Sequence, residues 1–146
     1  MNRVTCLVLF SLALLIATTA DAQDKCSFQT IHARYGATCQ GSVSPGPGAP
    51  LVPFALLGTC TGNATGYFTC SGTQSFGGVV EPAPAKGQST VNSDCTGQIT
   101  YNKGTPAELD INFLILHEGN ELRGMLQNPG TAVQCDLVSM GKDEED

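Results

Sequence analysis

Residues 107–138 read AELDINFLILHEGNELRGMLQNPGTAVQCDLV, and this stretch decides the fold. Leu109, Ile111, Phe113 and Ile115 alternate with Asp110 and Asn112, the period of a strand with one buried face. From Leu114 to Leu116 both faces turn apolar. The connection HEGNE then supplies Gly119 and Asn120, which tolerate the positive φ angles of tight turns, so the next strand runs back antiparallel. In QNPGT, Pro129 presets φ for a turn and Gly130 accepts the left-handed position that follows. Three consecutive antiparallel strands therefore form a meander.

The same grammar extends over most of the chain. Short β-branched and aromatic runs recur between clusters of Gly, Pro, Asn, Asp and Ser, with no sustained helical period after the first two dozen residues. Strands are expected over residues 31–40, 53–61, 66–71, 74–81, 88–92, 98–102, 108–117, 121–127 and 131–138. So many locally joined strands must protect their sheet edges, and closure does this best. The expected fold is all-β, a single antiparallel up-and-down barrel of about eight strands. A sandwich would need a long crossover, for which only SVSPGPGAP (42–50) is long enough. That segment and EPAPAKG (81–87) are proline-rich loops, either plain connections or rims over a pocket.

Residues 1–22 read as a signal peptide: Arg3, then the apolar run CLVLFSLALLIAT, then a small-x-small site at Ala20-Asp21-Ala22. The apolar run is too short to span a bilayer, and no later segment is longer. Residues 23–140 are then one barrel domain, and 141–146 an acidic, disordered tail. The expected location is outside the cytoplasm, secreted or periplasmic. Cys6 leaves with the signal, and the remaining six cysteines read as three disulfides stapling the barrel. No two of them have metal-ligand spacing, and His32 and His117 do not complete one, so no metal site is expected. A formal net charge of −6 without a basic cluster argues against nucleic acid and anionic membrane surfaces as partners.

Chemistry-bearing motifs are sparse. No serine sits in a nucleophile elbow and no glycine loop is placed to cradle phosphate, so no catalytic residue and no cofactor are assigned. Asn63-Ala64-Thr65 satisfies the N-glycosylation pattern in an expected turn. His117, Glu118 and Glu121 crowd a hairpin tip, either as solvated turn residues or as an acid–base group at a barrel rim. On the first strand, alternation puts His32 and Arg34 on one face and Tyr35 on the other. Asp110 and Asn112 share a face that points either outward or into the lumen. In the lumen they would join Phe113 and His117 as a candidate ligand site, a few polar groups in an apolar pocket.

Three segments, KCSFQTIHARYGATCQG (25–41), STVNSDCTGQITY (89–101) and LDINFLILHEGNELRGMLQNPGT (109–131), carry a resemblance. In their order and in the motifs DCTG and PGT, the chain resembles a group of small secreted bacterial proteins of unassigned function. Those proteins are regarded as calycin-like barrels, similar in outline to allene oxide cyclase. The chain departs from the group in four further cysteines and in Arg34 and Ala37 around Tyr35-Gly36. The resemblance implies a Cys26–Cys95 bridge tying the entry segment to a distant hairpin, and a bacterial source would leave the Asn63 sequon unused. For the other bridges, Cys60 and Cys70 flank TGNATG symmetrically, and Cys39 and Cys135 become neighbours if first and last strands meet. This is one of fifteen connectivities. The expected function is noncatalytic binding of a small apolar ligand or an extracellular protein partner. The alternatives are a cofactor-free isomerase or cyclase like allene oxide cyclase, and a structural or host-interaction protein that uses its outer surface.

Overall fold

Alternation of apolar and polar side chains is carried through nine strands in a computed structural model that describes residues 26–141. The signal-peptide segment with Cys6 and the charged residues 142–146 lie outside the described residues. The strands are β1 (Arg34–Val43), β2 (Val52–Gly62), β3 (Tyr67–Phe76), β4 (Val79–Pro82), β5 (Ala85–Val91), β6 (Thr96–Tyr101), β7 (Leu109–Leu116), β8 (Glu121–Leu126) and β9 (Thr131–Ser139). Every pairing is antiparallel between chain neighbours, except that β3 pairs both β4 and β5, and β1 pairs β9. The result is a closed eight-stranded up-and-down barrel with β4 as an extra strand.

The interior is apolar and the wall largely polar, with Leu57, Leu114, Met125 and Val138 exposed on it. Tyr35, Phe68, Ile99, Ile111, Phe113, Leu122, Val133 and Leu137 point inward and are buried, while Thr38, Gln40, Gln98, Asn112 and Gln134 face out. This is the reverse of an outer-membrane barrel, whose lipid-facing wall is apolar. Phe113 sits opposite Gly97 and Gly124, and the absence of side chains there is what makes room for it. A Cβ on Gly97 would overlap the Phe113 ring, and one on Gly124 would come within 2.7 Å of Ile111 Cγ2.

Two departures from the expected strands have simple causes. Residues 74–81 are not one strand: Gly77 and Gly78 adopt φ of 57° and 91°, the two positive angles of a type I′ hairpin turn, so β3 folds back onto β4. Ile31 does not begin β1. It closes a one-turn 3-10 helix, Phe28–Ile31, that plugs one end of the barrel with Ile31 fully buried.

β4 and β5 continue one line against β3, interrupted at Ala83 and Pro84. The Ala83 N–H donates to the Gly72 carbonyl at 2.9 Å. By antiparallel alternation residues 79, 81 and 83 bond to β3, while 80, 82 and 84 turn their backbone groups to an edge without a strand partner among the described residues. Two of those three are Pro82 and Pro84, which have no N–H.

Three disulfides complete the frame: Cys26–Cys95, Cys39–Cys135 and Cys60–Cys70. The last two join residues directly opposite on paired strands, with Cα–Cα separations of 4.0 and 4.1 Å. Cys95 closes the β5–β6 hairpin in a left-handed conformation, φ 66°, unusual for a side chain with a Cβ. Its bridge ties the plug to that hairpin. Three such bonds fit an oxidising, non-cytoplasmic location.

At the plugged end the buried Tyr35 donates its hydroxyl to the Gly119 carbonyl at 2.9 Å, binding β1 to the turn between β7 and β8. Burial raises this phenol to about 12. Because the folded value lies above the ordinary 10, the associated stability is intact below pH 10 and is lost as the unfolded chain deprotonates first between 10 and 12. Tyr35→Phe is expected to cost about 1–3 kcal/mol at neutral pH, by leaving the Gly119 carbonyl without that donor. The same variant should flatten the alkaline fall in stability, which urea unfolding at pH 7 and at pH 10.5 would measure; equal alkaline losses in both proteins would refute the assignment.

Candidate functional site

The barrel is packed at one end and hollow toward the other. Near the plug, Tyr35 stacks on Phe68 with ring centroids 6.3 Å apart. Toward the opposite end the inward positions of β1, β2, the β4–β5 connection and β5 carry Ala37, Gly58, Ala83 and Ala85. These short residues leave a cavity of about 70 Å³. Half-buried Phe54, Leu56, Leu109 and Leu126 line it toward the mouth, and both cross-strand disulfides, Cys39–Cys135 and Cys60–Cys70, form part of its wall.

Tyr101 is the one buried polar side chain in this lining, 6% exposed. Its hydroxyl lies 3.4 Å from Cys70 Sγ. The sulfur is oxidised and has no hydrogen, so the phenol must donate, to a weak acceptor. Burial pushes the Tyr101 hydroxyl far up, so it remains a neutral donor. The lining holds no His, Lys, Arg, Asp or Glu.

A second hollow of about 660 Å³ lies on the outer wall across β5 to β9, bordered by Gln98, Asn112, Leu114, Arg123, Met125 and Gln134. It is the larger of the two but more open, and its exposed lining mixes Leu114 and Met125 with amide and hydroxyl side chains. Arg123 at its border is bound by Glu121 and, at 3.1 Å, by Asp136, and these carboxylates raise its pKa, Glu121 first. As an exposed pair of ion pairs it adds little stability.

The four candidate ligand residues do not converge. Asp110 faces outward, accepts a 2.6 Å hydrogen bond from the Thr100 hydroxyl, and is an ordinary cross-strand pair. Asn112 also faces outward, beside Gln98 and Met125. Phe113 is core, and His117, 74% exposed in its side chain, stands on the turn after β7, 3.6 Å from Glu121. Of the two orientations open to Asp110 and Asn112 the barrel has the outward one, because its narrow lumen takes the apolar half of β7. Asn63 lies in the exposed β2–β3 turn, where its side-chain oxygen accepts from the Thr65 N–H, the Thr65 hydroxyl and the Tyr67 N–H. The loop 44–50 lies beyond the lining, held by the Ser44 hydroxyl to the Ala49 carbonyl and by the Ser44 N–H to Gly130, whereas EPAPAKG contributes Ala83 and Ala85 directly. Among the described residues no cluster of His, Cys, Asp or Glu could hold a metal.

Tyr101 and the small residues around it escaped the sequence reading. Tyr101 was detectable, since it keeps phase with Ile99 on an inward face. The void was not, because it depends on which small residues closure brings together. Compared with protein-family models, with curated proteins and with solved structures, the chain matches none.

Proposed function

We propose that this chain is a secreted, noncatalytic binding protein that takes a small apolar ligand into the mouth of its barrel. The observation that carries the reading is the apolar cavity beneath Phe54, Leu56, Leu109 and Leu126, open at the mouth of the barrel. Such a space, with one oriented polar group, has the general form of a small-molecule site. At about 70 Å³ it takes only the end of a ligand, the remainder lying between the four mouth side chains. Acid–base catalysis has little to work with there, because the one buried titratable group, Tyr101, stays protonated. Likeness to the DCTG and PGT group of secreted barrels agrees with this reading, as does the frame of three disulfides.

Titration with toluene, followed by amide chemical shifts of the oxidised protein, tests it. Shifts are expected at Leu56, Ala83, Ala85 and Leu109, with saturation. A spectrum unchanged up to the solubility limit of toluene would sink the proposal. The outer hollow favours a second reading, docking of an extracellular protein on the β5–β9 wall; native mass spectrometry that found a copurifying protein and no small molecule would favour it.

A further inference from the structure

We propose that the ligand is neutral and carries a hydrogen-bond acceptor, a carbonyl or ether oxygen, at the end that enters the cavity first, where it accepts a hydrogen bond from the Tyr101 hydroxyl. The inference rests on the reading of the cavity as a binding site and adds the chemistry of its occupant.

Four observations converge on it. The Tyr101 hydroxyl is buried in an apolar lining, and its hydrogen is directed at a disulfide sulfur 3.4 Å away. A disulfide sulfur is a poor acceptor, so transferring that hydrogen to an oxygen gains interaction without leaving a strong acceptor abandoned. The ring is packed in place: it lies over Gly87, where an added Cβ would stand 2.7 Å from Tyr101 Cδ1, and the residue is 6% exposed. Finally, the lining contains no cation. A carboxylate or phosphate brought there would lose its hydration with no opposite charge to offset the cost, which disfavours an anionic leading end and favours uncharged ligands. A plain hydrocarbon would fill the space but leave the phenol as it is. An apolar chain ending in a ketone, aldehyde or ester uses both the cavity and its donor.

The test compares wild type with Tyr101→Phe, an isosteric change, using 2-octanone, its hydrocarbon analogue 2-methyl-1-octene and octanoate. Tyr101→Phe is expected to weaken 2-octanone by roughly 5- to 30-fold, the loss of one hydrogen bond. It should leave 2-methyl-1-octene within about twofold, since burial of the hydrocarbon is unaltered. Octanoate should bind more weakly than the ketone to wild type. A second readout needs no variant: the infrared carbonyl stretch of bound 13C-labelled 2-octanone should lie below its position in hexane, as for a hydrogen-bonded ketone. Equal ketone affinity in both proteins, or a carbonyl stretch unshifted from hexane, overturns the inference while hydrocarbon binding keeps the binding function. Octanoate binding as tightly as the ketone overturns the requirement for a neutral ligand. No binding of any of the three by wild type overturns both readings together.

Discussion

Replacing Cys39 and Cys135 together by alanine is expected to remove about 4–5 kcal/mol of unfolding free energy, against about 2–3 kcal/mol for the double replacement of Cys60 and Cys70. The two pairs are alike locally. Each joins directly opposed residues of antiparallel strands, each has one buried and one half-buried member, and both border the same cavity. Their contexts in the chain differ: Cys39–Cys135 spans a separation of 96 residues and Cys60–Cys70 one of 10. In the chain-entropy account the longer loop restricts the unfolded ensemble more, and the side-chain burial lost is common to both variants. Urea unfolding of the oxidised proteins measures the difference. Equal losses would mean that the bridges act through the native barrel instead of through the unfolded chain.

Phe113→Ala is expected to cost about 3–5 kcal/mol, near the top of the range for aromatic truncation. Cavity cost depends on how far neighbours can collapse into the space, and here the flanking inward positions on β6 and β8 are Gly97 and Gly124. Neither has a side chain to move. Phe113→Leu should recover part of the loss. Urea unfolding at neutral pH again provides the measurement, and a loss below about 1 kcal/mol would show that the ring is dispensable to the core. Toluene binding to the folded variant should persist, because Phe113 lies outside the lining of the 70 Å³ cavity.

Where the sequence was legible, the physics was local. The alternation Leu109, Ile111, Phe113, Ile115 gave β7 its inner face, and the turns HEGN and NPG set the direction of β8 and β9. The three cysteine pairings coincide with those expected, and in two of them, Cys39–Cys135 and Cys60–Cys70, directly opposed strands bring the residues together. Where legibility failed, the deciding contact was distant or the local signal was degenerate. Gly77 and Gly78 stand between Phe76 and Val79, both strand formers, so the stretch reads equally as a run or as a turn, and pairing with β3 resolves it. Period-two alternation placed Asp110 and Asn112 opposite Phe113 but could not say which side was inside. The interior answers that: apolar side chains line it. The hollow near Tyr101 depends on Ala37, Gly58, Ala83 and Ala85, far apart in sequence and adjacent only once the barrel has closed.

The two prolines on the outer side of β4 bear on how these molecules treat one another at high concentration. A strand edge recruits a neighbour through repeated donor–acceptor pairs, and each added pair makes the next easier. Over residues 79–84 this edge can offer a single outward N–H, that of Val80, beside two exposed valines that would otherwise invite contact. A neighbouring chain could therefore form one bond there and not extend it into a ladder. Growth of a fibre from this edge stops at its first step, and the barrel keeps its greasiest exposed hairpin without becoming a seed.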